Sequence, residues 1–255
     1  MSNVLAIAHK EIRAYFSSPI AYIVLGLFAL LFGSFFTAIL DWFVKQGMQA
    51  AMGMGQGPMN VNQQFIRPVL LNATVVLLFV MPMVTMRTYA EEKRSGTMEL
   101  LLTSPLTDLQ IIMGKFFGAL ALYACMLLVT LLYIAVLFAF GNPEWKPIAA
   151  AYLGLLLFGG CFISVGMLIS SFTKNQIVAG MLTFGIFLLL WIIDWFGSFA
   201  GPTFEPILNY LSLTQHFDDF AKVVIDTKHV IYYVSFTTFG LFLTSKSVDS
   251  ERWRG

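Results

Sequence analysis

The chain has 255 residues, 58% of them hydrophobic and only 11% charged, with 25 phenylalanines and a mean hydropathy of +0.79. A soluble domain carries about a quarter charged residues, so the composition excludes one and describes a protein that crosses a membrane several times. A net charge of +1 leaves no basic or acidic surplus, which argues against nucleic acid as a partner.

A bilayer core of about 30 Å takes roughly 20 apolar residues per helix, because backbone groups there find partners only within the helix. The opening NVLAIAHKEIRAYFSSP reads as an amphipathic helix over residues 1–18 lying flat on the inner membrane surface. Val4, Leu5, Ala8, Ile12 and Phe16 are expected toward lipid, and Lys10 and Arg13 toward headgroups. Ser18-Pro19 then supplies a cap and a pre-set first residue for a span near Ile20–Leu40. That apolar run is too long for a cleaved signal, and LDWFVKQ after it lacks a small-residue cleavage site.

Residues 41–68 read as a polar, glycine-rich, flexible outer loop. Its Met48, Met52, Met54 and Met59 carry soft thioethers of the kind that bind Cu(I). Methionines touching lipid or a partner are the plainer reading, and no metal site is expected. A second span follows near Val69–Met86, then a sharp polar interruption, RTYAEEKRSGTMELLLTSPLTD. A turn that only sets orientation needs neither two adjacent acids nor the apolar Met98, Leu100, Leu101 and Leu102. The mixture suits a short helix across the membrane face, leucines on the bundle and charges toward another protein.

Spans near Leu109–Phe140 and Ile148–Phe172 are long enough to tilt or project from the lipid. Their small residues at four-residue spacing, Gly114…Gly118, Gly160…Ser164 and Gly166…Ser170, permit close helix approach. Thr107…Gln110 and Thr173…Gln176 match the reciprocal capping box. A fifth span is expected near Gln176–Trp195 and a sixth near His229–Thr244, the latter capped by Asp226 or Thr227. Between them, residues 196–228 hold enough apolar positions for short helices dipping into the outer leaflet. With six spans and the N-terminus inside, ten of the fifteen Lys and Arg residues fall on the cytoplasmic side, which places both termini there.

Cys125 and Cys161 lie in apolar runs and read as packing residues. Asp194 and His229 sit near span ends and read as solvated. A secondary transporter or channel, the alternative reading, would place carboxylates or histidines near mid-membrane. An intramembrane enzyme would need a constellation that His9, His216 and His229 are too scattered to form. No Gly-x4-Gly-Lys-Ser/Thr run is present to cradle phosphates, so the chain is not expected to be an enzyme or to hold ATP or Mg itself.

The stretch EEKRSGTMELLLTSPLTDLQIIMGKF resembles the loop between the second and third spans of type-2 ABC transporter permeases, where glutamate, Arg/Lys, Ser-Gly-Thr and Glu-Leu-Leu recur before a proline. HKEIRAYFSSPIAYIV, SSFTKNQIVAGML and VIDTKHVIYYVSF are similar to the gliding-motility-associated, GldF-like branch. The resemblance implies an all-α membrane protein with a single permease domain over residues 1–255. Its parts would be an elbow helix bearing Lys10, Glu11 and Arg13, six spans, a coupling helix within residues 87–107 and outer helices within 196–228. It further implies an exporter subunit of the bacterial inner membrane, working with a second permease copy or a paired membrane subunit. A separate ABC ATPase would carry ATP and Mg, and a GldG-like accessory membrane protein would be a further partner. On that reading Glu91, Glu92, Lys93, Arg94 and Glu99 form the polar docking face, Gly96 permits the sharp turn into it, and Thr97 caps the helix that follows.

Overall fold

The computed structural model describes residues 2–53, 60–141, 143–199, 201–222 and 226–252; Met54 and Met59 lie outside them. Every regular element among the described residues is helical. In chain order these are α1 (Ser2–Ser17), α2 (Pro19–Ala51), a π-helical turn (Asn62–Ile66), α3 (Arg67–Thr85), α4 (Ala90–Ser95), α5 (Thr97–Leu102), α6 (Asp108–Phe140), α7 (Trp145–Phe172), α8 (Gln176–Phe199), α9 (Gly201–Leu211), α10 (Leu213–Ala221) and α11 (Thr227–Arg252). Five stretches are long and apolar enough to cross a membrane: Pro19–Ala51, Asn62–Ser95, Asp108–Phe140, Trp145–Phe172 and Gln176–Ile193. The expected sixth span is continuous helix inside α11, but Tyr232, Tyr233, Thr237 and Thr238 dilute its apolar character and keep it out of that set.

Helix boundaries follow local chemistry. Ser18 Oγ accepts from the Ile20 amide, and Thr107 and Gln110 close a reciprocal capping box at the start of α6. Asp226 Oδ1 accepts from the Lys228 amide at 3.0 Å and starts α11. At α8 the expected Thr173 cap is displaced by Asn175, whose Oδ1 accepts from the Ile177 amide at 2.9 Å. The expected flexible loop over 41–68 is also shorter than its composition suggested. With no proline before Gly53, at φ +74, α2 runs through Gly47 to Ala51, and Asp41 and Lys45 pair one turn apart at 2.5 Å.

The helix α7 is the central pillar and packs against α3, α6, α8, α10 and α11. Its most apolar window is 72% buried and that of the α3 run 67%, against 22% for α2 and 17% for α8, so the latter two face outward. Aromatic rings fill the space between helices: Phe162 stacks on Phe187 at 3.9 Å and lies 4.6 Å from Phe158. A methyl at Gly159 would overlap the Tyr123 ring, whose hydroxyl donates to the Leu155 carbonyl at 2.7 Å. One at Gly166 would overlap Thr85. Gly160 is the looser position, its nearest neighbour being Thr237 Oγ1 at 3.6 Å.

The predicted spacing Gly114…Gly118 has a specific use, for it seats α1. A methyl on Gly114 would stand 2.6 Å from Ile7 Cβ, and one on Gly118 2.6 Å from Glu11 Cβ. The buried face of α1 is therefore Ile7, Ala8, Glu11 and Tyr15, packed on α6. Ala8, expected toward lipid, lies inside that contact, while Leu5, Lys10 and Arg13 are exposed as expected. The amphipathic pattern located the helix but misjudged its inner face, because Glu11 pairs within the contact.

Candidate functional site

Where α3 ends at Thr85, the chain turns through Met86–Tyr89 into two six-residue helices, α4 and α5. Helices this short do not hold themselves together in water. Here the Ser170 hydroxyl of α7 donates to the Met86 carbonyl at 3.0 Å and accepts from the Tyr89 and Ala90 amides at 3.1 and 3.0 Å. Two amides that Tyr89 cannot cap are thereby satisfied. Arg87 forks onto Glu91 at 2.7 and 3.0 Å, and the Tyr15 hydroxyl donates to the Val84 carbonyl at 3.2 Å.

The charges of α4 point in different directions. Lys93, with its side chain 3% exposed, runs inward to the Ser171 carbonyl and to Glu251 Oε1, the latter at 2.6 Å. Ser171 Oγ in turn donates to Ser247 Oγ at 2.7 Å, so α4, α7 and α11 meet at one point. On the other side Glu92 Oε1 lies 2.8 Å from Lys115 Nζ and 3.5 Å from Lys10 Nζ. Lys115, at 2% side-chain exposure, also reaches Glu11 Oε1 at 3.1 Å and the Thr88 carbonyl at 2.8 Å, with Nζ 5.2 Å from the Tyr89 ring centroid. The two carboxylates and the exposed Lys10 balance Lys115 to neutrality, which makes the burial of Lys115 tolerable.

Gly96, at φ +72, then reverses the chain. No atom would crowd a methyl there, so glycine is required by the backbone angle alone. Thr97 does not cap α5: its hydroxyl lies 2.8 Å from Ser95 Oγ, and Gly96 is the capping residue, without a side chain to offer. Met98 is buried, whereas Leu100 is 72% exposed, contrary to the expectation that the leucines pack inward; the side chains of Leu101 and Leu102 lie outside the described residues.

The expected docking set thus splits. Arg94 and Glu99 face outward, Glu91 is half-exposed and held by Arg87, and Glu92 and Lys93 serve inside the protein. Of the elbow residues, Lys10 and Glu11 join the Glu92–Lys115 cluster and Arg13 stays exposed. Sequence reasoning missed Lys115, Ser170 and Glu251. Lys115 carried a signal, since a lone lysine within IIMGKFF must find acidic partners when its helix packs.

The family model for ABC-2 family transporter proteins matches residues 5–245. The chain belongs to that family. Two curated relatives, each named "Probable multidrug ABC transporter permease YbhR", come from Escherichia coli strain K12 and Escherichia coli O157:H7. Each is 28% identical over 165 residues, covering 63% of this chain and 43% of the relative. The chain therefore spans less than half the length of the curated relatives it matches.

At the other end of α3, this ABC-2 permease has a second polar cluster. Arg67 forks onto Asp218 with two bonds of 2.8 Å, and Lys222 closes on the same carboxylate at 2.5 Å. Beside them a cavity of about 620 Å³ is lined by Asn72, Trp191, Gln215 and Asp219 among others. His229, expected to be solvated, is buried at 3% exposure, with Nδ1 2.6 Å from Nδ1 of His216. His216 Nε2 lies 3.0 Å from the Tyr210 carbonyl, which can only accept, so the proton of neutral His216 belongs on Nε2 and its Nδ1 accepts from His229. His229 Nε2 faces Asp219 Oδ2 at 3.1 Å, close but out of line for a hydrogen bond. Burial holds the His216 pKa below the usual histidine value, opposed by its bond to Tyr210 and aided by His229. The Asp194 side chain lies outside the described residues.

Proposed function

We propose that this chain is the membrane-embedded part of an ATP-driven exporter, of the GldF-like branch, and that its α4–α5 hairpin docks on a separate ABC ATPase. The observation that carries the reading is the two-sided hairpin. Its tip presents Arg94, Glu99 and Leu100 to a partner, while its base is held by Glu92, Lys93 and the Ser170 bonds to α1, α6, α7 and α11. A segment built this way receives a push on one face and passes it to four helices on the other.

On this reading α1 is the elbow helix and α11 the sixth span, and the hairpin and both ends of the chain lie on the cytoplasmic side of a bacterial inner membrane, in line with the lysine and arginine bias. The helices α9 and α10 then belong to the outer leaflet, where exposed Phe204, Ile207 and Tyr210 meet lipid. The working unit pairs this permease with a second copy or another membrane subunit and with ATPase subunits that bind ATP and Mg, and a GldG-like membrane protein is the further partner. Reversing the exposed charges, with Arg94→Glu and Glu99→Arg together, tests the docking face. The ATPase co-expressed with the chain is expected to lose at least about thirtyfold in affinity, the low end of about 2–5 kcal/mol for a desolvated charge contact. Unchanged co-purification and hydrolysis would reject the face, and ion-gradient-driven flux through this chain alone in vesicles would reject the export reading.

A further inference from the structure

We propose that Lys115 is a positioning residue, a pivot that makes α1 and α4 move as one body on the inner end of α6 when the hairpin is pushed. The inference rests on the export reading and goes beyond it by naming the joint through which the push divides. Lys115 of α6 ties two other helices to its own: it reaches Glu11 of α1 at 3.1 Å, Glu92 of α4 at 2.8 Å and the carbonyl of Thr88 before α4 at 2.8 Å. The α1–α6 contact supplies the bearing surface, because Gly114 and Gly118 let the Ile7 and Glu11 side chains of α1 lie directly on the α6 backbone.

The joint also has a built-in alternative. Glu92 Oε2 is buried and without a hydrogen-bond partner among the described residues, and the exposed Lys10 ammonium already stands 3.5 Å from Glu92 Oε1. Rotation of α4 under load exchanges Lys115 for Lys10 on the carboxylate without stranding a buried charge, which would otherwise cost several kcal/mol. An ion pair with every lone pair occupied would be a fixed bolt; this one has a second seat. Lys10 belongs to α1, so the elbow follows α4 while Glu11 still answers Lys115 at the pivot.

The test needs no knowledge of the cargo. The permease–ATPase complex is placed in lipid nanodiscs with Cys125→Ser, since Cys161 is buried. Spin labels go in pairs at Leu5→Cys with Ser95→Cys, and at Leu5→Cys with Phe140→Cys, all three being exposed positions. Distances are read with and without a slowly hydrolysed ATP analogue. In the wild-type background the 5–95 distance is expected to stay constant while the 5–140 distance shifts with nucleotide. In Lys115→Met the 5–95 distance is expected to change with nucleotide and the 5–140 shift to be lost, and Lys115→Arg is expected to restore the wild-type pattern. Glu92→Gln, which keeps the volume, is expected to behave as Lys115→Met and serves if the methionine variant does not fold. A wild-type response that persists unaltered in Lys115→Met or Glu92→Gln overturns the pivot alone. A wild-type complex that holds no ATPase, or shows no nucleotide response at all, overturns the export reading and the pivot with it.

Discussion

A single hydroxyl, that of Ser170, organises the turn between α3 and α4 by serving two amides and one carbonyl. Replacing it with alanine leaves buried amides unpaired, at about 1–3 kcal/mol. We expect hydrogen exchange at Tyr89 and Ala90 in Ser170→Ala to quicken by about ten- to a hundredfold, with little change in the middle of α6. Unaltered protection would show that the bonds are incidental. Sequence reading found such residues only where chemistry is local. The Thr107–Gln110 box and the turn at Gly96 were legible because cap and amide, or glycine and φ angle, are neighbours in the chain. Ser170 was not, since its partners lie 81 and 80 residues away, and nothing in SSFTKN announces them.

Elements were legible to the extent that periodicity decides them. The stripe Ala21, Val24, Phe28, Phe32 and Phe36 marks the buried side of α2, and the small residues of α6 marked a close contact without naming its partner. That partner proves to be α1. We expect Gly118→Leu to prise α1 from α6, because even a methyl there stands 2.6 Å from Glu11 Cβ and overpacking of this kind costs about 1–3 kcal/mol. Trypsin cleavage at Lys10 and Arg13 reads the result, and Gly26→Ala, where nothing lies within 4 Å of the added carbon, is the control and should remain as resistant as the wild type. Equal resistance in Gly118→Leu would contradict the seat.

Across the whole molecule, polar clusters sit at opposite ends of α3, and the one around His216 is sensitive to acid. The His216 ring faces His229, Tyr210 and Tyr232 at close range, with Asp219 and Lys228 bearing on it electrostatically. Its pKa in the folded protein lies below the ordinary 6.5, so its neutral form stabilises the fold fully above about 6.5, and that contribution fades as pH falls toward the folded value. A second proton on His216 puts an N–H on Nδ1, so His229 must move its own proton from Nδ1 to Nε2, toward Asp219, or two N–H groups oppose each other across 2.6 Å. We expect amides of α10 to exchange faster at pH 5.5 than at pH 7.5 after correction for intrinsic rates, and His216→Asn to remove most of the difference. A wild-type protein without that difference would refute the coupling. Five of the six expected spans came through as membrane-length helices, in the expected order among the described residues, because each is set by a long apolar run; the more polar sixth did not join them. The inward turn of Glu92 and Lys93 did not, since which side of a six-residue helix faces the bundle is decided by residues far along the chain.

The ion pair between Lys93 and Glu251 bears on biogenesis as well. Its two residues are 158 positions apart, so during synthesis the lysine emerges long before its carboxylate. Until α11 has been translated and laid against α7, the lysine has the Ser171 carbonyl but no carboxylate to balance its charge. If the hairpin is the docking face proposed above, an ATPase meets a finished surface only after α11 has joined α7.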